Sequence, residues 1–259
     1  MQYGICLLSV VPCRKEASNT SEMVTQLLFG EHYTVLELTE SWIKIKTAFD
    51  NYECWINLKQ HQKISDSTFK QLESQTLLFS NELIQVVKDK KTEISFPISL
   101  GSALPFLKNN YLKIEDFEYS FDGASTQSNS KKSSAEIILT SYLFLNAPYL
   151  WGGKSPFGID CSGFTQLVYK INGYKLPRDA YQQVELGEPL NFVEEAEAGD
   201  LAFFDNDEGK IVHVGILLNN QQIIHASGQV RIDNFDHYGI FNSSTKKYSH
   251  TLRVIKRII

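Results

Sequence analysis

Residues 158–171 read GIDCSGFTQLVYKI, and they decide how the second half of the chain folds. Phe164, Leu167, Val168 and Ile171 recur at the i, i+3, i+4, i+7 spacing of one buried helical face. The predicted helix opens on Asp160, Cys161, Ser162 and Gly163, so a thiol sits in its first turn. Unpaired backbone N–H groups and the macrodipole favour a thiolate there, and the thiolate is the nucleophilic form of cysteine. Gly163 keeps the approach to the sulfur open. Such a nucleophile needs a base, and two histidines follow in apolar, strand-like runs: His213 in KIVHVGILL and His225 in QQIIHAS. These runs predict a hairpin around LLNNQQ. Alternate strand residues face opposite sides, so a two-residue turn at Asn219–Asn220 would pair 218 with 221 and separate the histidines. An odd loop or a bulge pairs 213 directly with 225. That is the expected arrangement, because only then can His225 orient the His213 imidazole as the third member of a triad orients its base.

On either side of this helix the pattern changes. SAEIILTSYLFLNA, from residue 134, predicts a helix capped by Ser134, with Ile137, Ile138, Tyr142 and Leu145 on one face. From 199 onward the pattern is β: GDLAFFD, KIVHVGILL, QQIIHASG, QVRIDNF and HTLRVIKRI. Helices followed by an antiparallel sheet make residues 135–259 an α+β domain. Residues 122–134 are polar and Ser-rich and read as a linker. Residues 1–60 alternate short apolar runs with turns, WIKIKT among them, which indicates a small β-barrel. Residues 61–121 repeat that pattern more loosely.

The chain has 259 residues, enough for two or three domains. Its formal net charge is −5 and it has no basic run, which argues against a nucleic-acid partner. The longest apolar stretch, YGICLLSVV at 3–11, is too short to span a membrane. No Lys or Arg precedes it and no small-residue cleavage site follows, so it reads as a strand; a cytoplasmic location is the expectation. Cys6, Cys13 and Cys54 are dispersed and read as small buried hydrophobes with free thiols. A zinc site on Cys161, His213 and His225 would need a further ligand and closer spacing. No metal or organic cofactor is expected. His32, His61, His237 and His250 read as surface or packing residues.

Four motifs in order, YLWGGKSPFGIDCSGFTQLVY, EAGDLAFF, HVGILL and IIHASG, resemble the NlpC-type cysteine peptidases, papain-like bacterial enzymes that cut peptidoglycan peptides. The resemblance covers roughly residues 135–259. It implies that Cys161 attacks an amide carbonyl, His213 is the base and His225 orients it. It also implies that Tyr149 helps the Cys161 N–H hold the oxyanion. LPRDAYQQ is similar to the stretch of the γ-D-glutamyl-diamino acid endopeptidases that binds the free amino end of L-Ala-γ-D-Glu-diamino acid, and Asp179 is the matching carboxylate. Ser162 would hydrogen-bond the substrate. The first 60 residues resemble a bacterial SH3-like barrel, and 61–121 would be a second. Glu22 and Tyr52 are the first barrel's candidates for closing the amine pocket, although DNYECW lacks the glycines usual around that tyrosine. The implied protein is multidomain: two small all-β barrels followed by a papain-like α+β domain. It would act on murein peptides in cell-wall recycling. An amidase or acyltransferase on another amide or a lipid is the enzyme alternative; a binding module without catalysis is the third reading.

Overall fold

A computed structural model describes residues 2–259. The chain divides into two compact units. One comprises the chain as far as Ser130 together with Gly152–Pro156 and Gly173–Lys175; the other comprises Lys131–Trp151, Phe157–Asn172 and Leu176–Ile259.

In the first unit the alternation in WIKIKT becomes strand β5 (Trp42–Thr47), which buries Ile43, Ile45 and Thr47 and turns Lys44 and Lys46 outward. It belongs to a seven-stranded antiparallel sheet with β1 (Gln2–Ile5), β2 (Val10–Arg14), β3 (Met23–Leu28), β4 (His32–Leu38), β6 (Glu53–Asn57) and β7 (Gln62–Ile64). The order is β3-β2-β6-β5-β4-β1-β7. Cys6, Cys13 and Cys54 pack with Val11, Leu27, Tyr33, Ile43, Ile45 and Ile56 in its core. All four cysteines of the chain are free, and these three serve as small apolar groups, as expected. Gly30 makes the turn from β3 to β4 with φ +76°, a left-handed conformation that glycine adopts without a Cβ clash.

Residues 61–121 depart from a plain repeat of that pattern. They add helix α1 (Asp66–Ser74), capped by the Ser65 hydroxyl on Thr68 N–H at 3.1 Å, before β8 (Leu78–Ser80). A four-stranded sheet follows in the order β10-β9-β12-β11, from β9 (Ile84–Asp89), β10 (Ser95–Ser99), β11 (Tyr111–Ile114) and β12 (Phe117–Ser120). Its core of Val87, Ile98, Leu104, Leu112, Tyr119 and Phe121 also takes in Phe29, from the turn after β3. Within 122–134, read from sequence as a linker, β13 (Ser125–Gln127) pairs with β8, Thr126 opposite Phe79.

The second unit is organised around one enclosed helix. Its α2 (Ser134–Tyr142) is capped by Ser133, one residue before the expected position, with the Glu136 side chain accepting from Ser133 N–H at 3.0 Å. The buried side of this segment is Ile137, Thr140, Ser141 and Phe144, whereas Tyr142 and Leu145 are exposed. The short strands β14 (Lys154–Ser155) and β15 (Gly158–Ile159) precede α3 (Cys161–Ile171), which is buried along its whole length. A single turn, α4 (Ala180–Gln183), follows. Then come β16 (Glu188–Pro189), β17 (Leu201–Asp205), β18 (Ile211–Asn219), β19 (Gln222–Ser227), β20 (Gln229–Asp236), β21 (Gly239–Asn242) and β22 (Lys247–Arg257). The order is β16-β22-β17-β18-β19-β20-β21, and β21 also pairs with β22, so the last six strands close on themselves.

The β18–β19 register carries the expected irregularity, a bulge between Leu217 and Asn219. Its consequence differs in detail from direct opposition. Gly215 is the residue opposite His225, and His213 is the diagonal neighbour two residues away on the same face.

Candidate active site

Asp160 caps α3 by accepting from Gly163 N–H at 2.7 Å, which makes Cys161 the first helical residue. The Asp160 carboxylate is also held by Arg178, with Nη1 at 3.0 Å from Oδ1 and Nη2 at 2.6 Å from Oδ2. Arg178 is 1% exposed, and its Nη1 also donates to Ser162 Oγ at 3.0 Å. Gln183 fastens this loop to the helix by donating to Ser162 O at 3.0 Å and Pro177 O at 2.9 Å. A buried cation, a cap and a helix start are thereby locked together beneath the thiol. The sequence singles out Asp179 and not its neighbour Arg178, whose buried role depends on a carboxylate partner that no local pattern names.

α3 packs against β18, and the Val214 N–H is directed at the Cys161 sulfur. The nucleophile therefore meets the strand that carries His213. Burial pushes the Cys161 thiol up to about 12, and the Asp160 charge adds to this. The N–H groups of Val214 and Ser162 and the Arg178 guanidinium pull the other way. The backbone N–H groups at the helix start act in the direction that the sequence predicts, and burial opposes them. His213 is held well below its ordinary value by burial first, then by His225 and His250.

His213 Nε2 lies 2.8 Å from His225 Nδ1, and the two residues are 5% and 1% exposed. Gly215 makes this contact possible, since a Cβ there would stand 2.8 Å from His225 Cβ and 2.7 Å from Ile223 Cδ1. His225 Nε2 in turn lies 3.0 Å from Asp233 Oδ2, and Asp233 Oδ1 accepts from Arg231 Nη2 at 2.7 Å. A third imidazole, His250 on β22, stacks on His213 with ring centroids 4.1 Å apart and planes 22° apart. His250 was read from sequence as a surface or packing residue; it packs, and what it packs against is the base. Burial pushes it down to about 4, with His225 adding to the effect and Asp233 opposing it. Asp233 carried a sequence signal: a tight turn at Gly228 pairs His225 with Arg231 and places Asp233 on the face of His225.

Tyr149 is half-buried, its N–H donates to Gly228 O at 2.9 Å, and it bridges to Ile159. Burial, then the charges of Cys161 and Asp160, raise its phenol, so the hydroxyl keeps its proton as a donor. Ser162 is buried against Arg178 and Asp160. Asp179 is the N-cap of α4, and its N–H donates to Gln182 Oε1 at 3.2 Å. Glu22 lies in the first unit, exposed, in an ion pair with Lys15 at 3.2 Å. Tyr52, in the same unit, packs on the core of the seven-stranded sheet and donates its N–H to Thr47 Oγ1 at 2.9 Å. Among the described residues no group of three or more His, Cys, Asp or Glu is arranged to hold a metal ion, and no helix is long and apolar enough to cross a membrane.

Residues 146–250 match the NlpC/P60 family, and residues 13–60 match the bacterial dipeptidyl-peptidase Sh3 domain. The gamma-D-glutamyl-L-lysine dipeptidyl-peptidase of Bacillus subtilis (strain 168) is 32% identical over 218 residues, 78% of this chain and 71% of that protein. Its namesake in Bacillus cereus (strain ATCC 10987 / NRS 248) is 28% identical over 232 residues, 81% of this chain and 68% of that protein. In fold, the chain is similar to the crystal structure of an NlpC/P60 family protein from Bacillus cereus ATCC 10987. That likeness has a TM-score of 0.84 at 20% identity and covers 99% of each chain. A buried Cys161 facing the His213–His225 strands, carried in this fold and on these matches, leads to one assignment. The chain belongs to the NlpC/P60 family and is a cysteine peptidase with a bacterial SH3-type domain in its N-terminal half.

Proposed function

We propose that the chain hydrolyses the amide between γ-D-glutamate and the following diamino acid in short murein peptides that carry a free N-terminal L-Ala. The observation that carries this reading is the extended similarity to relatives named for γ-D-glutamyl-L-lysine cleavage. The thiol proton of Cys161 passes to His213, and the sulfur attacks the carbonyl carbon. The Cys161 N–H and the Tyr149 hydroxyl hold the resulting oxyanion; a donor of this kind contributes about 3 kcal/mol to the transition state. The C–N bond then breaks as His213 returns its proton to the leaving amine. Water, deprotonated by His213, cleaves the thioester and restores the thiol.

Asp179 is assigned to the substrate's ammonium group, since a buried cation of this kind requires a charged partner. Glu22 and Tyr52 are assigned to substrate binding from the barrel, and Ser162 to a hydrogen bond with the peptide. In this reading residues 61–121 are a second SH3-like barrel, and the enzyme works in peptide recycling in the cytoplasm. Demanding a free amino terminus excludes intact cell wall, because substrates without the amine forgo the charged hydrogen bond to Asp179.

The test is a mass-spectrometric digest of L-Ala-γ-D-Glu-meso-diaminopimelate and its N-acetylated twin, with Cys161→Ala as control. Cleavage of the free peptide alone, absent in the variant, is the expected result. Equal cleavage of both would remove Asp179, Glu22 and Tyr52 from their roles, and cleavage of neither would remove this substrate.

A further inference from the structure

We propose that Asp233 is a positioning residue that sets the tautomer of His225 and, through it, leaves His213 Nδ1 as the basic nitrogen. This lengthens the Cys161–His213–His225 series by one buried member. The argument rests on donors and acceptors. An ionised carboxylate only accepts, so the 3.0 Å contact requires a proton on His225 Nε2. With its single proton on Nε2, the His225 ring presents a lone pair at Nδ1. The atom facing that lone pair at 2.8 Å is His213 Nε2, which must be the donor. Neutral His213 is thereby left with its lone pair on Nδ1, ready to take the thiol proton.

Asp233 is fit for this task. It is 7% exposed, and its second oxygen is occupied by Arg231 Nη2 at 2.7 Å. Burial pushes its carboxyl up, but the bonds from His225 and Arg231 outweigh that and hold it below its ordinary value, so it stays ionised. When His213 accepts the proton from Cys161, the charges along the series are thiolate, imidazolium, carboxylate and guanidinium. Each is next to its opposite except across His225, which transmits the carboxylate's pull through two hydrogen bonds.

Arg231 makes the idea testable with a single atom exchange. In Asp233→Asn the guanidinium keeps the amide oxygen facing itself, which turns the NH2 toward His225 Nε2. His225 must then carry its proton on Nδ1 and donate to His213 Nε2, and His213 is left protonated at Nδ1 with no base toward the sulfur. The readouts need no substrate: nitrogen-15 NMR of the two histidines, and the rate of Cys161 alkylation by iodoacetamide, followed by peptide mass on the full chain. In the wild type both histidines should be protonated at Nε2. In Asp233→Asn both should move to Nδ1, and alkylation at neutral pH should slow about 100-fold, short of the roughly 10⁴-fold loss when a wrong tautomer sits directly beside a catalytic base. Adding Arg231→Met should free the amide to turn back and recover about tenfold of that loss, a rescue that no packing defect would produce. The proposal is overturned if wild-type His225 carries its proton on Nδ1, which decides the matter even should Asp233→Asn fail to fold. It is equally overturned if Asp233→Asn alkylates within threefold of wild type, or if the double variant is no faster than the single one.

Discussion

Replacing Arg178 with Met is the most informative single change for the base of α3. The guanidinium is 1% exposed and donates at 3.0 and 2.6 Å to Asp160 and at 3.0 Å to Ser162. Met fills much of the same volume but leaves a buried carboxylate without its cation, which destabilises by about 3–5 kcal/mol. The Gly163 N–H at 2.7 Å still serves that carboxylate, so the lower end, about 3 kcal/mol, is expected. Adding Asp160→Asn keeps a good cap while removing the bare charge. The double variant should therefore return to within about 1–2 kcal/mol of wild type, a coupling of ~1–2 kcal/mol or more. Two compact units make a single global melt ambiguous, so the assay is hydrogen exchange on peptides spanning residues 161–171. Cys161 alkylation should also slow in the single variant, because the Asp160 charge that raises the thiol would act unopposed by Arg178. A single variant that loses less than 1 kcal/mol of protection, or a double variant no better than the single, would refute the reasoning.

Three further outcomes are expected. His250 is neutral in the fold, pushed from 6.5 to about 4, so the unfolded chain binds its proton first and stability is lost as pH falls from 6.5 toward 4. His250→Phe keeps a ring on His213 and should show a smaller drop in urea midpoint between pH 7 and pH 5 than wild type; an equal drop would be inconsistent with a buried neutral imidazole. Gly30→Ala forces φ +76° on a residue whose Cβ would lie 2.1 Å from Ala103 O, and should destabilise the first unit by more than about 2 kcal/mol, read by tryptophan fluorescence of Trp42 and Trp55 in urea. Arg257→Met strips Asp200, 2% exposed, of its 3.0 and 2.8 Å bonds and should lower stability by about 2–3 kcal/mol, detectable as faster exchange in β17 and β22.

Periodicity and chemistry together made much of the second unit legible. The apolar stripe of α3 is buried at every predicted position, Phe164, Leu167, Val168 and Ile171. Strand parity and the need for His225 to reach His213 together call for an odd loop or a bulge, and the register carries a bulge between Leu217 and Asn219, with Gly215 rather than His213 opposite His225. What escaped was whatever depends on closure in three dimensions. His250 reaches His213 only because β22 returns to pair with both β17 and β21, which no local pattern announces. Arg178 escaped because a guanidinium in a loop reads as surface unless its buried carboxylate partner is known. The depth at which Cys161 is buried is hidden for a related reason, since a helix start is visible in sequence and its enclosure is not. In the first unit α1 was missed because its polar sequence buries only Leu72.

Gly215 has a consequence for anyone seeking a hardier version of this enzyme. A glycine in the middle of a buried strand ordinarily weakens it, so strand propensity alone would replace it. Here any Cβ would stand 2.8 Å from His225 Cβ and 2.7 Å from Ile223 Cδ1, so packing forbids the residue that propensity favours. The same space is what His225 leans across to reach His213. Folding and turnover therefore hold this one position to glycine together, and libraries selected for heat resistance should keep it while the surrounding strand residues remain free to improve.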